Sequence, residues 1–207
     1  MYELYWSQGS AAVVPQAVLE EIGVPYKLRK VDLAAGEQHR PEFLALNPFG
    51  YVPVLVDGKT VLSETAAIVL HLCDKHPEAG LAPKAGSPDR AAFYRWLVFL
   101  ANTMQTTLSR QYAPGRYTSR PDQAAGVREK ADENLDRYWQ VIDDMLGARG
   151  PYLLGKTYSA CDAYMWVLGT WQDPPGSLLP RFASLRRCVD LVTARPAIRK
   201  LIESGAV

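Results

Sequence analysis

The sequence is short of cysteine, of long apolar runs and of concentrated charge, and each shortage excludes a class of protein. Cys73, Cys161 and Cys188 lie far apart with no C-x-x-C pair. That speaks against a disulfide framework or a zinc site, predicts no metal, and fits a reducing, cytoplasmic setting. No apolar run approaches the roughly 20 residues that span a bilayer, so no membrane partner is expected. The opening "MYELYWSQGS" lacks a basic stretch followed by an apolar one, and no signal peptide is expected. Net charge is only +1 over 207 residues, and the densest basic group is Arg186-Arg187, which gives no support to nucleic-acid binding.

What charge there is divides unevenly, −4 over residues 1–80 and +5 over the rest, and the periodicity changes at the same place. The first 75 or so residues alternate strand and helix signals. "YELYW" is a short aromatic strand. "AAVVPQAVLEEIG" sets Val14, Val18, Leu19 and Ile22 on one helical face, with Gly23 as its stop. "YKLRKVDL" alternates as a strand should. A short helix near "RPEFLAL" precedes "VPVLV" and "KTVL", two apolar runs joined by Asp57-Gly58, a strong hairpin signal. "SETAAIVLHLCDKH" closes the series as a helix. The order β-α-β-α-β-β-α predicts a mixed sheet flanked by helices.

Past residue 77 the strand signals vanish. Residues 78–87 read as a Pro/Gly/Ala-rich linker, and residues 88–207 as an all-helical domain. In it Phe93, Leu97, Leu100, Met104 and Leu108 recur at helical spacing, with Ser87 or Asp89 placed to cap. Ser159-x-x-Asp162 is a capping-box-like start with Asp in the usual place of Glu.

Pro53 stands where a buried strand should begin, and it has no N–H to give to a ladder. Two readings are open: Pro53 ends an edge strand, or a cis Val52–Pro53 bond turns the chain so that Val52 presents its N–H and C=O to an extended peptide.

"NPFGYVPVLVDGKTVLSETAAI" (47–68) resembles the glutathione-site motif of the glutathione S-transferase family. "YLLGKTYSACDAYMWVLGTW" (152–171) resembles the capping-box segment of that family's second domain. The resemblance covers essentially the whole chain. It implies a thioredoxin-like α/β domain over 1–77 and an all-α helical bundle over 88–207. It also implies a cis Val52–Pro53 bond with the Val52 backbone on the cysteinyl part of glutathione, and Glu64 and Thr65 on the γ-glutamyl end. The physics suits this, because a helix N-terminus offers free N–H groups and a positive dipole to a carboxylate. His39 and Tyr51 are the further candidates on the glutathione side; Tyr51 stands where Lys or Gln is common.

Glutathione as co-substrate must be ionised at sulfur, since the thiolate is the nucleophile. In the family the group that favours the thiolate lies between the first strand and first helix, here "YWSQGSAAVVP". Ser10, Ser7 and Tyr5 are the candidate donors, together with the backbone N–H groups of Ser10 and Ala11. The stretch is most similar to bacterial beta-class enzymes but lacks the cysteine of their motif, so a mixed disulfide with glutathione cannot form from this loop. Met104, Thr107, Tyr112, Tyr117 and Trp166 are the candidates for a second-substrate wall in the cleft between domains. The implied activity is transfer of the glutathione thiol to an electrophilic apolar compound, by a homodimer. The alternatives are a non-catalytic ligand carrier or protein-binding regulator, and glutathione-dependent ether cleavage or dehalogenation.

Overall fold

The computed structural model describes residues 1–174 and 176–206. It divides into two compact units, Met1–Ala82 with Ala194–Val207, and Pro83–Thr193. The return of the C-terminal segment to the first unit departs from the boundary read in the sequence, which gave all of 88–207 to the helical domain.

The first unit carries β1 (Tyr2–Trp6), α1 (Val13–Ile22), β2 (Tyr26–Lys30), α2 (Pro41–Leu44), β3 (Val54–Asp57), β4 (Thr60–Ser63) and α3 (Thr65–Lys75). This is the predicted order. The sheet runs β2-β1-β3-β4, with β1 and β2 parallel and the other two pairings antiparallel. Leu4 and Leu55 sit opposite each other and are fully buried. Alternation puts Tyr5 and Val54 on the other face, where they pack with Val31 and with Phe43 of α2. The apolar stripe of α1 (Val13, Val14, Ala17, Val18, Leu19) and that of α3 (Ile68, Val69, Leu72) are buried, and the two helices pack together. β2 departs from its expected in-out alternation: Lys27 to Lys30 are all exposed, because the strand forms an edge of the sheet.

α9 (Pro196–Glu203) packs on α1. Arg195 donates to both oxygens of the Glu21 carboxylate at 2.5 and 2.7 Å, and Lys200 donates to Glu20 at 2.6 Å. Gln8 Nε2 donates to the Gly205 carbonyl at 3.2 Å. Glu20 also accepts from Tyr26, and burial raises that phenol well above its usual pKa.

The second unit holds α4 (Pro88–Val98), a π-helical turn (Phe99–Met104), α5 (Gln105–Tyr112), α6 (Ala124–Arg149), α7 (Ala160–Thr170) and α8 (Ala183–Thr193). Phe93, Leu97, Leu100, Met104 and Leu108 are all buried, as their spacing predicts, with Leu135, Trp139, Ile142 and Leu146 of α6. The capping box at Ser159 and Asp162 is formed in both directions. Among the described residues no helix is long and apolar enough to cross a membrane.

Candidate functional site

The sheet register brings the separated motifs to one end. Tyr5 pairs with Val54, and Val54 with Ser63, as the last row of the three adjacent strands. Two residues further along each chain stand Ser7, Val52 and Thr65. The Val52–Pro53 peptide is cis. The N–H and C=O of Val52 make no hydrogen bond among the described residues. The turn before it is built by Asn47, whose Asn-Pro pair is a turn signal in the sequence. Buried Asn47 donates from Nδ2 to the Tyr51 carbonyl at 2.8 Å and accepts from the Phe49 N–H at 3.2 Å.

Glu64 is the N-cap of α3, with φ 69°, and is the only non-glycine residue at positive φ among the described residues. Such a conformation costs about 1–3 kcal/mol and persists where the surroundings impose it. No side chain caps this helix. Its first-turn N–H groups and its dipole are therefore open to an anion. Thr65 is buried at the first helical position, and its hydroxyl has no partner among the described residues.

Between β1 and α1 the Ser10 hydroxyl donates to the Ser7 carbonyl at 2.6 Å and accepts from the Ala12 N–H at 3.3 Å. The Ser7 N–H also reaches it, at 3.4 Å. Ser10 thus closes the loop locally, and the Ser7 side chain takes no part in that ring. Tyr5 packs edge-on to Phe43, with ring centroids 6.1 Å apart, and lines a surface hollow with Lys30, Arg40 and Glu42.

The profile of the family "Glutathione S-transferase, N-terminal domain" matches residues 2–74. Glutathione S-transferase 3 of Zea mays is 32% identical, over 97% of this chain and 92% of that protein. The chain belongs to the glutathione S-transferase family. Glutathione S-transferase 1 of Dianthus caryophyllus is 43% identical over 168 residues, 79% of this chain and 73% of that one. The crystal structure of a glutathione transferase homologue from Sulfitobacter, with bound glutathione, superimposes with a TM-score of 0.90 at 28% identity, covering 100% of this chain and 99% of that one.

In this transferase-family chain the other sequence-predicted residues are dispersed. His39 is exposed but lies against Gly50: a Cβ there would stand 3.1 Å from His39 Nδ1. Gly50 also has φ 70°, so both its space and its conformation require glycine. Tyr51 is 69% exposed. Within the helical unit, Met104 is fully buried and Thr107 donates to the Thr103 carbonyl at 2.7 Å. Trp166 is buried, with Nε1 donating to Thr193 at 2.9 Å. All three are buried, and helical apolar spacing by itself does not tell a core face from a ligand face. Tyr112, 85% exposed, and Tyr117, whose hydroxyl donates to Ser109 at 2.8 Å, are on the surface.

Proposed function

We propose that this protein is a glutathione transferase that ionises the glutathione thiol and transfers it to an electrophilic, mostly apolar compound, acting as a cytoplasmic homodimer in detoxification. The observation that carries the reading is the row of Ser7, Val52 and Thr65: one end of the sheet offers an unpaired backbone amide and carbonyl beside an uncapped helix N-terminus. Val52 pairs with the cysteinyl unit as an added strand would. The N-terminus of α3 and the Thr65 hydroxyl take the α-carboxylate of the γ-glutamyl unit, and Glu64 takes its ammonium. The thiol proton leaves to solvent, and a sulfur–carbon bond forms as the bond from carbon to its leaving group breaks. Tyr112 and Tyr117 remain the exposed aromatic candidates for the second substrate.

The thiolate requires donors, and the loop supplies Ser10, Ser7 and backbone N–H groups. Ultraviolet absorbance of bound thiolate against pH reads the outcome. Wild type should hold the thiol pKa below the free value of about 8.5, and Ser10→Ala should return it toward that value. A shift that survives Ser10→Ala moves the role to Ser7, Tyr5 or the backbone. Tight binding with no shift in wild type rejects the transferase reading in favour of a carrier or regulator. The donation of the Ser10 hydroxyl to the Ser7 carbonyl is the one feature that favours that second reading. A product assay over several electrophiles separates conjugation from ether cleavage or dehalogenation.

Thr65→Ala should weaken glutathione binding by about 1–3 kcal/mol, the worth of a hydrogen bond to a charged group. Calorimetry checks this, and an unchanged Kd rejects the assignment of Thr65.

A further inference from the structure

The helical unit holds a hollow that none of the candidate glutathione residues lines. It lies between α4 and the C-terminal turns of α6, is bordered by the turn Tyr152–Gly155, and measures about 220 Å³. All of its lining belongs to Pro83–Thr193. The floor is apolar, with Trp96, Leu146 and Leu153 buried. Its border is held in place from several sides. Tyr152 and Gly155 exchange backbone hydrogen bonds at 2.9 and 3.0 Å, and the Tyr152 ring meets that of Tyr158 edge-on at 5.6 Å. The Leu153 N–H donates to the buried Asp162 carboxylate at 2.8 Å. A wall fixed in this way loses little freedom when the hollow is filled.

Charge stands at the rim, where Arg95, Arg149 and Asp89 are exposed. The Arg95 guanidinium lies 4.3 Å from the centre of the Trp96 ring, a stacking that fixes its plane and leaves the N–H groups at its edge available. Among the described residues neither the Arg95 nor the Arg149 guanidinium forms an ion pair or a hydrogen bond. Two such forks beside an apolar floor match one carboxylate on a small apolar body. A cavity of about 150 Å³ holds benzene, so this one has room for a single ring and a short carboxylate arm. Asp89 on the same rim opposes a second negative charge.

We propose that this hollow is a binding site for small arylalkyl monocarboxylates, with the ring on Trp96, Leu146 and Leu153 and the carboxylate between Arg95 and Arg149. The inference stands apart from the glutathione reading, whose residues lie in the other unit.

Calorimetry on the full chain with 3-phenylpropionate and with its uncharged amide tests it. The acid should bind about tenfold or more tighter than the amide, the worth of a hydrogen bond to a charged group. Arg149→Gln should weaken the acid by about tenfold and leave the amide unchanged. Ala92→Leu keeps a good helix former in α4 and puts a larger side chain into the hollow, and it should abolish binding of both ligands. An unchanged thermal midpoint shows that each variant is folded. A wild type that does not bind the acid, or binds acid and amide alike, overturns the inference. Binding that survives Ala92→Leu, or is indifferent to Arg149→Gln, places the ligand elsewhere and overturns it as well.

Discussion

Asp162→Asn should lower the stability of the protein by about 2–4 kcal/mol, read as a shift in denaturation midpoint at unchanged slope. Asp162 has no exposed surface, and its carboxylate accepts from the Leu153 N–H at 2.8 Å, the Ser159 N–H at 2.8 Å and the Ser159 hydroxyl at 3.0 Å. An amide has one oxygen, so in either orientation its NH₂ confronts a donor that then stays unpaired in the core. The loop at Leu153 and the start of α7 are released together.

The same residue predicts a pH dependence. Burial pushes the Asp162 carboxyl from 3.8 up to about 6, outweighing the donors that favour the ionised form. Between about pH 4 and 6 the folded state holds a proton that the unfolded chain has already lost. Stability conferred by this group is therefore greatest below pH 4 and declines as pH rises to about 6, by at most about 3 kcal/mol. The gap between wild type and Asp162→Asn should narrow over that window. A gap that widens with pH would show that the three donors dominate.

Arg195→Ala should cost about 2–4 kcal/mol by the same measurement, far more than Lys200→Ala. Glu21 is paired by both guanidinium prongs and its side chain is only 7% exposed, so Arg195→Ala removes a two-pronged, largely sheltered partner. The Lys200 side chain, by contrast, is 68% exposed, and its pair with Glu20 contributes at most about 1 kcal/mol. A double-mutant cycle with Glu21→Gln isolates the pair. An Arg195→Ala loss no larger than that of Lys200→Ala would mean that apolar packing of Ile198 and Leu201 alone holds α9 in place.

Much of the architecture was legible because it is written in local chemistry. Gly23 ends α1 in the left-handed conformation, Asp57-Gly58 turns the hairpin, and Ser159 with Asp162 opens α7. Each is a contact within a few residues, and the backbone preferences of Gly, Asp and Ser suffice to specify it. The order of strands and helices followed from periodicity in the same way. The spacing of Pro53, Glu64 and Thr65 pointed to one site, and the register of three strands is what brings their neighbourhood together with Ser7.

The rest depended on partners far away in the chain. Met104, Thr107 and Trp166 read equally well as pocket or core, and only packing against distant parts of the chain made all three buried. Ser10 and Ser7 are small hydroxyls of one loop, and only the path of the backbone gave Ser10 the Ser7 carbonyl as acceptor. The placement of α9 rests on Arg195 meeting Glu21 across 174 residues, a pairing that no local pattern encodes. The sequence by itself determined the elements, their caps and the motif. Tertiary structure decided which polar groups are engaged within the fold and which stay free for a ligand, because a hydrogen bond or an ion pair belongs to two positions in space and the sequence specifies only one at a time.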